Sequence, residues 1–93
     1  MWAGYRLKMF IEFKSLHEGI RNAEVRHGIQ KLLNCTKQTV SFYEENKSRP
    51  LFDSLEKLAM YFNIPMDYFS DNYVIDKEEV YERISKSKEG KGK

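Results

Sequence analysis

The sequence predicts an all-α fold, a compact bundle of about five short helices followed by a C-terminal extension. Three observations carry that expectation. Apolar residues recur at helical spacing: Leu7, Phe10, Ile11, Phe13 and Leu16; then Val25, Ile29, Leu32 and Leu33; then Leu55, Leu58, Ala59 and Phe62. Helix-stopping residues separate these runs at Gly19, Asn34-Cys35, Asn46 to Pro50, and Asn63-Ile64. Between Gln30 and Glu44, two helical stretches are joined by a turn of only a few residues, the second opening on the hydroxyl of Thr36.

The first helix spans residues 5–18 and buries one apolar face; Gly19 can take the left-handed conformation that ends it. The second opens on Asn22 as its cap and turns Val25, Ile29, Leu32 and Leu33 inward. Gly28 costs this helix about 1 kcal/mol relative to Ala, which close packing against the third helix would explain. The third helix runs from Lys37 towards Glu45. Val40 and Tyr43 share its inner face, whereas Lys37, Gln38, Ser41 and Phe42 point the other way. A polar loop, Asn46 to Arg49, follows, and Pro50 holds Arg49 extended. The fourth helix runs from Phe52 to Asn63, with Asp53 suited to its positive end. A short fifth helix forms around Met66-Asp67-Tyr68-Phe69, with Pro65 in its first turn. Beyond Asp71, the residues Val74, Val80, Tyr81 and Ile84 predict an amphipathic helix over 76–86. The Lys/Gly-rich end, Ser85 to Lys93, is expected to be disordered.

Composition narrows the function. The 93 residues are enough for one small core, with 41% apolar and 14% aromatic side chains. A single cysteine excludes an internal disulfide and suits a reducing cytoplasm; Cys35 reads as a small buried residue at the turn rather than a reactive thiol. No apolar run approaches the ~20 residues of a membrane helix, and Met1-Trp2-Ala3-Gly4 carries no signal-peptide core, so a cytoplasmic protein is expected. Sixteen Lys/Arg against 14 Asp/Glu leave a net charge of only +2. The distribution is more informative: Arg26, Lys31, Lys37, Lys47 and Arg49 lie between residues 26 and 50, where Glu44 and Glu45 are the only acids. His17 and His27 have no cysteine or acid at ligand spacing, and no metal or other cofactor is expected. Neither Ser41 nor Cys35 has a histidine at a plausible partner position, and no Gly-rich phosphate loop is present, so an enzyme is not expected.

The order of several weak pieces carries more. Leu32-Leu33-Asn34-Cys35-Thr36 is an apolar helix end, a small turn and a cap. Thr39-Val40-Ser41 and Tyr43-Glu44 follow, then Ser48-Arg49-Pro50, then Leu55-Glu56-Lys57-Leu58-Ala59, and finally Ile64-Pro65-Met66-Asp67-Tyr68-Phe69. From Ile29 to Phe69 the chain resembles the lambda-repressor-like, Cro/C1-type helix-turn-helix proteins, also called the XRE family. The resemblance implies a DNA-binding domain over residues 5–70, with 71–93 as a C-terminal extension. It implies that the helix starting at Thr36 enters the major groove of double-stranded DNA. Lys37, Gln38, Ser41 and Phe42 would then face the bases: Gln38 can pair with adenine, Lys37 with guanine, and Phe42 can touch a thymine methyl. Asn22, Thr36, Thr39, Lys47 and Arg49 are placed for phosphates. In this family a helix 1 arginine often pairs with the glutamate of helix 3. Here Lys14 stands in that place opposite Glu44, with Arg21 as a rival. Leu51 stands where the family often has a serine cap.

The reading that follows is a sequence-specific transcriptional regulator, a repressor, binding DNA as a homodimer. One unit covers only a short half-site, and the tail helix together with Tyr61, Tyr68, Tyr73 and Tyr81 offers apolar surface for a second copy. The alternative is an antitoxin-type or other protein-binding helix-turn-helix module, gripping a protein partner with the segment from Tyr73 to Ile84.

Overall fold

The computed structural model describes residues 1–87 and contains five α-helices, the first three joined by tight turns: α1 (Gly4–Glu18), α2 (Asn22–Leu33), α3 (Lys37–Glu44), α4 (Phe52–Phe62) and α5 (Lys77–Ser87). A 3-10 turn, Met66–Phe69, follows α4. Among the described residues the only β pairing is one isolated bridge between Trp2 and Ser70.

The turns follow from local chemistry. Gly19, Asn34, Asn46 and Asn63 all have positive φ, between 54° and 69°. Glycine and asparagine tolerate that region best. Each is followed by an N–H that reaches five residues back to a helix carbonyl: Ile20 to Ser15, Cys35 to Gln30, Lys47 to Phe42, and Ile64 to Ala59, at 2.9–3.1 Å. This is the Schellman closure, and it satisfies carbonyls that a helix end leaves unpaired. One recurrent device therefore ends α1, α2, α3 and α4.

α1 is the central element. It touches α2, α3, the 3-10 turn and α5. Leu7, Phe10 and Ile11 are fully buried, and Arg6 and Lys14 are, unexpectedly, largely buried beside them. Arg6 Nη1 donates to the carbonyls of Ser70 (2.6 Å) and Tyr68 (3.3 Å), and Lys14 Nζ lies 2.9 Å from Glu18 and 4.7 Å from the Tyr61 ring centre. A buried cation is tolerable on such terms because carbonyls, carboxylate and ring face replace its water. Leu16 departs from the expected inner face and is 71% exposed. The core proper is aromatic. Phe10 meets Phe69 at 5.2 Å and Phe62 at 5.9 Å between ring centres, and Trp2 stacks on Phe69 at 5.4 Å.

Several local expectations need correction. The residue capping α2 is Arg21, whose side chain makes no cap bond; Asn22 is the first helical residue. Gly28 is explained by α4 and not by α3, since a Cβ there would sit 2.7 Å from the Tyr61 hydroxyl. Pro65 precedes the 3-10 turn as its cap residue. α5 continues through Ser87, so Ser85-Lys86-Ser87 are helical; the rest of the Lys/Gly-rich end lies outside the described residues. Val74 is 90% exposed and lies before that helix, whereas Val80 and Ile84 are fully buried against the rest of the core. The apolar face of α5 is thus turned inward, onto α1 and α4.

Candidate nucleic-acid interface

The first turn of α3 is built by its cap. Thr36 is extended (φ −90°, ψ 165°), and its Oγ1 accepts from the Thr39 N–H at 3.2 Å. The Thr36 and Thr39 hydroxyl oxygens lie 3.0 Å apart. This bond satisfies one of the free donors at the helix start and fixes the direction in which Lys37 and Gln38 leave the backbone. Both are exposed, and neither side chain is engaged in a hydrogen bond or ion pair with another described residue. Ser41 and Phe42, one turn later, are half-buried. Phe42 lies under the ammonium of Lys47, which is 5.6 Å from its ring centre.

Three contacts anchor the other side of α3. Val40 is fully buried among the core side chains, and Tyr43 packs edge-on against Trp2 at 6.2 Å. Glu44 forms a two-pronged ion pair with Arg26 of α2: Nε to Oε2 at 2.7 Å and Nη2 to Oε1 at 3.1 Å. This overturns the expected partners. Lys14 is spent on Glu18, and Arg21 is an exposed residue 3.9 Å from Glu24. The hydrogen bond to Glu44 holds the Arg26 guanidinium above its ordinary pKa; burial opposes this, and the Glu44 and Glu12 charges reinforce it. The planar fork matches the carboxylate, so the pair fixes the angle between α2 and α3 as well as their distance. It also removes Glu44 from any surface that approaches a phosphate.

The loop after α3 carries the remaining cations. Lys47 and Arg49 are both exposed, with Lys47 Nζ 3.4 Å from Glu45 Oε1. Arg49 sits beside a shallow cavity that it lines with Met1, Trp2, Asn46 and Ser48. Asn22 occupies the start of α2, where backbone N–H groups lack helical partners. Cys35 is half-buried at the turn, and burial pushes its thiol above the ordinary value. The folded chain therefore gathers Thr36, Lys37, Gln38, Thr39, Ser41, Phe42 and Lys47 on and immediately after one short helix, with Arg49 two residues further along the loop. Sequence reasoning missed Arg26 as the anchor of α3, and it missed the part of Trp2. The spacing from Arg26 to Glu44 belongs to no helical or strand period, and only the crossing of α2 over α3 brings them together.

The model of the helix-turn-helix family matches residues 27–69. Over that segment the chain is similar to Cro/C1-type helix-turn-helix domains of the XRE family, a family of DNA-binding regulatory domains. No curated protein and no solved structure matches the chain. No helix among the described residues is long and apolar enough to cross a membrane.

Proposed function

We propose that this protein is a sequence-specific transcriptional regulator, a cytoplasmic repressor that places α3 in the major groove of its operator. One observation carries the reading: the side chains of Lys37 and Gln38 stand exposed on a capped first turn, while the same helix is locked to the fold by Val40, Tyr43 and the Arg26–Glu44 pair. A rigid helix with free amide and ammonium groups at its start suits the major groove, where each base pair presents its own pattern of donors and acceptors. Gln38 pairs with adenine, Lys37 with guanine O6 and N7, and Ser41 and Phe42 extend the contact by one turn. Asn22, Thr36, Thr39, Lys47 and Arg49 hold phosphates on either side and set the register. Occupying the operator excludes other proteins from it, and the small domain needs no further activity to repress.

The domain binds as a homodimer on a two-fold site, since one α3 reads only a few base pairs. Leu51 and Phe52, 80% and 63% exposed directly after Arg49 and Pro50, are apolar surface available to a second copy. The tail is less suited to that use, or to gripping a protein partner, because Val80 and Ile84 are spent on the chain's own core. With Lys47 and Arg49 as the main phosphate cations, a dimer neutralises four phosphates. Log K is then expected to fall against log salt with a slope of about −3.5. Selection of bound duplexes from a random DNA pool tests the reading. An enriched, two-fold symmetric sequence is the expected result; no enrichment and no binding at low salt would sink it.

A further inference from the structure

The segment Trp2-Ala3-Gly4 is tied to the far end of α3 by contacts that the helix-turn-helix match, beginning at residue 27, does not include. Trp2 Nε1 donates to the Tyr43 carbonyl at 2.9 Å, from an indole that is 9% exposed. The Gly4 N–H donates to Asn46 Oδ1 at 2.6 Å, and Asn46 Nδ2 lies 3.5 Å from the Trp2 carbonyl. Gly4 comes so close to the carbonyls of Tyr43 and Glu44 that a Cβ there would overlap them. The same segment is fastened at its other side, where the Ala3 N–H donates to the Phe69 carbonyl at 2.9 Å and the Trp2 ring stacks on Phe69. It is therefore a strap between the core and the last turn of α3.

We propose that Trp2 and Asn46 are positioning residues for base recognition, a role that rests on the reading of α3 as the DNA-reading helix. A helix of eight residues has little stiffness of its own. Its start is set by the Thr36 cap, its middle by Val40, and its final residue, Glu44, by the ion pair with Arg26. Its last turn is held by the indole bond and by the Asn46 amide. Asn46 serves twice: its backbone closes the helix in the left-handed conformation, and its side chain grips Gly4. Lys47 follows immediately and Arg49 two residues later, so the strap sets both the tilt of α3 and the path of the phosphate-contacting loop. Loosening it lets Lys37 and Gln38 wander relative to the base edges without removing a cation.

Two conservative variants separate this role from folding. Trp2→Phe keeps most of the ring and loses the N–H. Asn46→Gly keeps the left-handed backbone and loses the side-chain bonds. Each is titrated, at a temperature where circular dichroism reports a folded chain, against a duplex selected by the wild type and against a random-sequence duplex. The same titrations are repeated with Gln38→Ala in both backgrounds. Each variant is expected to lose about ten-fold on the selected duplex, roughly the value of one good base contact. The loss on random duplex should be no more than about two-fold, because phosphate attraction there does not depend on base register. In the Gln38→Ala background the loss on the selected duplex should shrink. Equal losses on both duplexes, or full additivity with Gln38→Ala, would overturn the proposal and leave the strap a plain part of the fold. So would failure of both variants to fold at 25 °C. A wild type that binds neither duplex refutes the DNA-reading assignment itself and removes the positioning role with it, a result visible before any variant is made.

Discussion

Breaking the Arg26–Glu44 pair tests how α3 is held. The Glu44 side chain is 9% exposed and that of Arg26 is 26% exposed. In Arg26→Met the carboxylate stays in place with both oxygens deprived of their donors. An exposed pair would be worth at most about 1 kcal/mol and a fully buried one about 3–5 kcal/mol on removing one partner, so an expected cost of about 2–3 kcal/mol sits between them. For a domain of this length, where 1 kcal/mol moves the midpoint by about 4–8 °C, that is a fall of roughly 10–20 °C. Glu44→Met should be milder, about 1–2 kcal/mol, because the Arg26 guanidinium can turn its free edge to water. The double variant replaces both charges with apolar groups of similar length and should return to within about 1 kcal/mol of the wild type. Urea unfolding followed by circular dichroism gives all four values by linear extrapolation. Additivity in the double variant, or single variants within about 0.5 kcal/mol of the wild type, would refute the idea that this pair locks the two helices.

Three further outcomes are expected. Gln38→Ala should cost about 1–3 kcal/mol on the preferred site and relax preference at one base, whereas Lys47→Ala should weaken all duplexes alike and flatten the salt slope by ~1 for each copy bound; uniform loss from both would mean that the reading face lies elsewhere. Ile84→Ala empties a fully buried site on α5 and should lower stability by about 2–5 kcal/mol in thermal unfolding, which an independent tail would not show. Burial holds the Cys35 thiol above its ordinary pKa, so at pH 8 less of it is thiolate than of a free cysteine. Iodoacetamide should therefore react several-fold more slowly with folded than with urea-unfolded protein, with the rate rising towards pH 10.

Much of the architecture was legible because it is encoded within a few residues. Thr36 and the Thr39 N–H, the left-handed Gly19, Asn34 and Asn63, and the three-four spacing of Val25, Ile29, Leu32 and Leu33 are all local relations. They locate the helix ends to within a residue or so, and they put Gln38 on the face opposite Val40, with Lys37 at the flank. An ion pair for Glu44 was also expected, from the family resemblance, though with the wrong partner. Sixteen Lys and Arg residues were available to it by charge alone, and only the crossing of α2 and α3 brings Arg26, eighteen positions away, into a bidentate fit. The burial of Arg6 depends on the carbonyls of Tyr68 and Ser70, more than sixty residues downstream. The strap at Trp2 and the inward turn of Val80 and Ile84 likewise depend on surfaces that exist only after α1, α3 and α4 have met. Caps, turns and periodicity are short-range chemistry that a sequence carries in plain view. Which distant charge or ring completes a given site depends on helix crossing geometry, and that is settled by packing the whole chain at once.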